Sequence, residues 1–157
     1  MAHYLFNVVQ RDAAKGPARR ERAVALLRIG MWGIDADERH GNALAAGDLV
    51  LVYLGAPERE FIGHAELASA AHEWTPSEAR VYPGDSPSGV LLARVEKWNP
   101  PVPMSAVLSH IDPSENAKAD FEAGVVRITA HEYETALAVA AARRARSGTG
   151  APSAGTS

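Results

Sequence analysis

Apolar positions in this chain gather into short runs of strand length more often than into long helical stripes. Tyr4-Leu5-Phe6-Asn7-Val8-Val9 is one such run, ending where Gln10-Arg11-Asp12 turns polar, and predicts a buried first strand. Leu49-Val50-Leu51-Val52-Tyr53-Leu54 is apolar on both faces and predicts a central strand. After the turn Ala56-Pro57-Glu58-Arg59-Glu60, Phe61 to Ala68 alternates large apolar with small or polar side chains, the pattern of a hairpin partner. Val90 to Trp98 predicts a third long strand stopped by Pro100-Pro101, and Val125-Val126-Arg127-Ile128 a last one. Ala23, Leu26, Leu27 and Gly30 have helical spacing, so a short helix is expected from Pro17 to Ile29, with Pro17 in its first turn. Ser105 to His110 reads as a short helical turn. Thr129-Ala130-His131-Glu132 has the form of a capping box. It should open a helix through about Ala142, with Arg143, Arg144 and Arg146 at its end to complement the helix dipole. Between them, His72 to Ser88 contains three prolines together with Trp74 and Tyr82, and is expected to be a long irregular loop.

About five strands with short helices between and around them predict a single α+β domain over residues 1–146 with a curved or barrel-like sheet. Residues 147–157 contain only Gly, Ala, Pro, Ser and Thr and are expected to form a disordered tail.

Composition narrows the chemistry. The chain has 157 residues, 46% hydrophobic and 22% charged, as expected of an ordinary folded domain. Its formal charge of −3 removes the simplest case for nucleic-acid binding, a globally basic domain. The charge is segregated, however: from Arg11 to Arg28 six basic residues face two acidic ones, a local excess of +4. There is no cysteine, which excludes disulfides, thiolate zinc sites, iron–sulfur clusters and a cysteine nucleophile. The first residues lack the basic and apolar regions of a secretory signal, and no run is long enough to span a membrane, so a cytoplasmic protein is expected.

His64-Ala65-Glu66 has the H-x-E spacing of zinc nucleobase deaminases, but the P-C-x-x-C that completes such a site is impossible here. No P-loop, dinucleotide fingerprint, H-E-x-x-H or G-x-S-x-G is present, and Gly84 to Gly89 reads as a loop. The other histidines have no metal-ligand spacing. No metal or cofactor is expected. What remains is a binding argument. Trp32, beside Gly33, follows the basic segment, and Trp74 lies in the Pro-rich loop with Tyr82 nearby. Two such rings can hold a planar base, with stacking worth about 1–3 kcal/mol per base, while amides and an asparagine read its edge. Arg19, Arg20 and Arg28 of the basic segment would then meet phosphates. The competing reading is that each tryptophan is a core or rim residue.

The ordered set of segments resembles an EVE domain of the PUA-like superfamily. It comprises His3-Tyr4-Leu5-Phe6-Asn7, Met31-Trp32-Gly33-Ile34, Asn42-Ala43-Leu44, Gly47-Asp48 leading into Leu49 to Tyr53, Phe61 to Leu67, and Gly124 to Thr129. The likeness covers about residues 3 to 140. Phe61-x-Gly63-x-Ala65-Glu66-Leu67 also looks like a strand of the related YTH domains, which bind methylated adenine in RNA. The resemblance implies a PUA-like mixed-sheet pseudo-barrel with peripheral helices and a pocket for a flipped-out modified base such as 5-methylcytosine or 5-hydroxymethylcytosine in DNA or RNA. It implies Trp32 as the first wall of an aromatic cage, Trp74 as the second, with Tyr82 able to serve, and Asn7 and Asn42 as groups contacting the base. The expected function is a non-catalytic reader with nucleic acid as partner. The alternative is a small hydrolase or other enzyme of the superfamily using His64, Glu66 or the loop from His72 to Asp85.

Overall fold

The apolar run Leu49–Leu54 forms the strand β3 and lies between β1 (His3–Asn7), parallel to it, and β4 (Glu60–Leu67), antiparallel. A computed structural model describes residues 1–7, 17–34, 41–55, 58–83, 86–109 and 125–150 of the chain. The remaining strands are β2 (Met31–Gly33), β5 (His72–Glu73), β6 (Ser88–Pro103) and β7 (Val125–Ile128). The sheet order is β2-β6-β4-β3-β1-β7, and β5 also pairs with β6. Helices α1 (Pro17–Ile29), α2 (Pro76–Val81), α3 (Met104–Leu108) and α4 (Ala130–Gly150) lie among and around the strands, and a short 3-10 turn spans Gly41–Ala43.

Strand alternation divides the apolar side chains between two cores. Val50, Val52 and Leu54 of β3, with Tyr4 and Phe6 of β1, join Ala23, Leu26 and Leu27 of α1 and Trp32 of β2 in the first. Leu51 and Tyr53, with Leu5, join Trp98, Val107 of α3 and Tyr133, Ala136 and Ala140 of α4 in the second. A continuous apolar run is required at β3 because both of its faces are covered.

β6 curls the sheet. Its register against β4 passes from Glu66 opposite Ala93 to His64 opposite Glu96, one extra residue on β6, and Arg94 there adopts a φ of 51°. Such a bulge bends the strand and increases its twist. The first half of β6 is thereby free to pair with β2 and β5. α1 reaches this end through Gly30, whose φ of 75° suits glycine at a helix C-terminus.

Several expectations change. β6 continues through Pro100-Pro101 to Pro103 because the proline pair falls in a second irregularity, where the register jumps from Gly63 opposite Lys97 to Phe61 opposite Val102. Prolines are tolerated where no ladder hydrogen bond is needed. The expected loop from His72 to Ser88 contains β5 and α2, and Met31–Gly33 forms β2, so the described residues hold seven strands where about five were expected. α4 runs to Gly150, past Ala142. Val8, Val9, His110, Gly84, Asp85 and residues 151–157 lie outside the described residues.

Candidate nucleic-acid interface at the β2–β6 end

Gly33 of β2 pairs with Gly89 of β6, and both positions exclude a side chain. A Cβ at Gly33 would stand 2.3 Å from the Tyr82 hydroxyl, and one at Gly89 would stand 2.2 Å from the Trp32 carbonyl and 2.5 Å from the Trp74 ring. Trp74 and Tyr82 therefore lie over a bare patch of backbone. Their ring centroids are 4.9 Å apart at 36°, and the Trp74 indole N–H donates to the Ser86 carbonyl at 2.9 Å. A planar ring held between two others needs roughly 7 Å, twice the contact distance, so this pair is closed upon itself.

α2 lies in the segment between these two rings. Thr75 caps it, accepting from the Glu78 backbone N–H at 3.2 Å while the Glu78 carboxylate accepts from Thr75 N–H at 2.9 Å, and Pro76 begins the first turn. None of its residues is buried. It is a cover held at its ends.

Beside the cover a cleft of about 140 Å³ is lined by Ile34, Gly41, Asn42, Ala71, His72, Glu73 and Ser88. Its floor is tied by Ile34 N–H to the Ser88 carbonyl and by the Ser88 hydroxyl to the Ile34 carbonyl, each at 3.0 Å. Asp48 holds the adjoining turn, accepting from Ala45 N–H and Ala2 N–H at 3.0 Å. The cleft offers an amide, a hydroxyl and a carboxylate around apolar Ile34 and Ala71. That mixture can read the polar edge of a small planar ligand and hold an apolar substituent.

The residues expected at the site are distributed as follows. Gly33, Trp74 and Tyr82 are in one contact group. Asn42 is exposed on the cleft wall. Trp32 is 5% exposed and stacks on Phe6 at 5.8 Å, so its ring is a member of the first core. Asn7 is buried, and its Oδ1 accepts from Gly55 N–H at 3.1 Å, joining the ends of β1 and β3. Arg20 is ion-paired with Glu60. Arg28 is exposed, and the side chain of Arg19 lies outside the described part.

The lining contributed by Ile34, His72, Glu73 and Ser88, and the role of Glu78, were not read from sequence. Thr75-Pro76-Ser77-Glu78 carried a usable signal, a capping box with proline at the first helical position. The local density of proline obscured it.

On the opposite face, His64 Nε2 is 2.7 Å from Glu96 Oε1, its Nδ1 is 3.3 Å from the Tyr133 hydroxyl, and Arg144 also binds Glu96. Glu66 pairs with Arg94 at 3.6 Å. Burial, with Glu66 adding to it, pushes the Tyr133 hydroxyl up to about 12. The Tyr133 and Arg144 contacts fasten α4 to the sheet. Among the described residues no group of three metal-ligating side chains converges, and no helix is long and apolar enough to cross a membrane.

No family model and no curated protein sequence matches the chain. Solved structures do. A hypothetical protein from Leishmania major aligns with TM-score 0.60 and 15% identity over 92% of this chain and 97% of that one. The YTH domain of a Zygosaccharomyces rouxii protein, in complex with N6-methyladenosine RNA, aligns with TM-score 0.58 and 15% identity over 88% of this chain and 86% of that one. An ASCH protein from Zymomonas mobilis aligns with TM-score 0.53 and 11% identity over 87% and 94%. At these identities the likeness is one of fold, and the chain has the PUA-like fold, a curled mixed half-barrel with helices around it.

Proposed function

We propose that this protein is a non-catalytic reader of the EVE type, which takes a flipped modified base of DNA or RNA at the β2–β6 end of the half-barrel. The observation that carries the reading is the union of an aromatic pair over bare backbone, Trp74 and Tyr82 on Gly33 and Gly89, with a small mixed cleft beside it. The shared fold with a YTH domain solved on methylated RNA supports it.

In this reading Trp74 and Tyr82 part to stack on the base, and Asn42 reads its edge. Trp32 backs the site from the core, and Asn7 steadies the β1 end. Ile34 and Ala71 accept an apolar substituent such as a methyl group. Exposed Arg28, with Arg19, meets phosphate, while Arg20 first has to leave Glu60. Flipping a base costs a few kcal/mol. Stacking worth about 1–3 kcal/mol per base and a few hydrogen bonds offset it.

The test is a binding panel of DNA and RNA oligonucleotides carrying cytosine, 5-methylcytosine, 5-hydroxymethylcytosine or N6-methyladenine. One modified base should bind best, with affinity falling as salt rises, and Trp74→Ala should weaken it by about tenfold or more. Equal affinity across the panel, or binding indifferent to Trp74→Ala, overturns the reading.

A further inference from the structure

His72 lines the cleft, and both of its ring nitrogens face acceptors. Nδ1 is 3.0 Å from the Ala70 carbonyl and Nε2 is 2.9 Å from Glu78 Oε1. A carbonyl and a carboxylate cannot donate, so a ring with one proton satisfies only one of them. The imidazolium satisfies both. The same Glu78 oxygen accepts from Thr75 N–H, so the protonated ring ties β5 to the N-terminal cap of α2. The Trp74 ring lies 5.7 Å from the imidazole at 87°. With no buried residue in α2 itself, this latch adds to the anchoring of the cover by Trp74, bonded to the Ser86 carbonyl, and by Tyr82, buried at its far end.

We infer that His72 is a positioning residue: protonated, it latches α2 and Trp74 over the β2–β6 end, and base binding tightens as the proton leaves. The inference rests on the reader function for its ligand. Among the described residues, the charged groups around the ring are Glu78 of α2 and Glu73 of its own strand, while the facing walls of the cleft contribute uncharged Asn42 and Ser88. The hydrogen bond to the Ala70 carbonyl, followed by that to Glu78, holds the imidazole above its ordinary value.

The sign follows from linkage. The closed cover binds the proton more tightly than the open one, so a ligand that needs Trp74 and Tyr82 apart is disfavoured by protonation. Simple attraction between an imidazolium and a phosphate backbone gives the opposite trend.

Two measurements test it. In the ligand-free protein, the Trp74 indole N–H resonance should titrate between about pH 5 and about pH 8, and His72→Gln should abolish that titration. In the second, affinity for a 5-methylcytosine oligonucleotide should rise several-fold over the same range. Glu78→Gln should flatten this profile while keeping the affinity seen at high pH. Affinity that is flat or falling with pH in the unaltered protein overturns the latch, as does an indole titration that persists in His72→Gln. Binding with a flat profile overturns the latch and leaves the reader standing. A titrating indole with no affinity for any oligonucleotide of the panel overturns the reader and leaves the latch.

Discussion

His64 and His72 each lie between an aromatic ring and a glutamate, on opposite faces of one sheet, yet their surroundings give them different work. His64 meets a hydroxyl at Nδ1, and the Tyr133 O–H, kept protonated by burial, can donate to it. One proton on that ring, given to Glu96, then completes both contacts. His72 meets a carbonyl at the same nitrogen, which only accepts. The partner at Nδ1 thus separates a fastening that is complete in the neutral ring from one that needs the charge. The helices fastened differ too: α4 buries Tyr133, Ala136 and Ala140 in the second core, whereas α2 buries nothing. A segment with few buried apolar contacts opens locally at low cost.

The largest effect that sharpens this contrast concerns the tryptophans. Trp32→Ala should destabilise the fold by about 3–5 kcal/mol, read as a fall in the urea midpoint, because the ring is buried against Phe6. Trp74→Ala should cost clearly less, since its ring belongs to the cover, and equal losses would erase the distinction between core wall and cover. Next come the two capping boxes, chemically alike. Thr129→Ala should lower global stability by about 1 kcal/mol, because Thr129 and Glu132 cap the packed helix α4. Thr75→Ala should instead accelerate amide exchange within α2 and leave the urea midpoint nearly unchanged. A global loss from Thr75→Ala would mean that α2 unfolds with the whole domain.

Tyr133→Phe removes the donor to His64 and should cost about 1 kcal/mol in chemical denaturation, with no change in the exchange of α2. The smallest effect is on pH. His72 is held above its ordinary 6.5, so its contribution is complete below that value and is lost as pH rises through its folded value. Glu78 is held below its ordinary 4.5, mainly by its bond to Thr75, so its contribution is present above that value and is lost as pH falls through its folded value. Protection of α2 should therefore peak between the two and decline on either side. A His72→Gln protein that still loses protection on the alkaline side would show another group at work.

Much of this architecture is written in short-range pattern. The continuous run at Leu49–Leu54 announces a strand covered on both faces, and the Thr129–Glu132 box announces the start of α4. Both are local: one needs only an uninterrupted apolar stretch, the other two side chains three residues apart. Prolines misled in two places for one reason. Pro76 begins a helix, and Pro100-Pro101 sits inside a strand, because each occupies a position where an amide hydrogen is not needed, and that is set by the neighbouring chain.

The candidate site residues divide in the same way. That Trp32, Trp74, Tyr82 and Asn42 are candidates for one site was an expectation from their order along the chain and its resemblance to known domains. Which ring is wall and which is cover could not be read that way, because Trp32 is committed to the core by Phe6, and Trp74 to the cover by Ser86 and Gly89, all distant in sequence. The charge asked of His72 likewise depends on the carbonyl of Ala70 and the carboxylate of Glu78 meeting one ring from two sides. Hydrophobic pattern reports which face of a segment leaves water. It does not report which atoms meet there, and hydrogen-bond chemistry depends on those atoms.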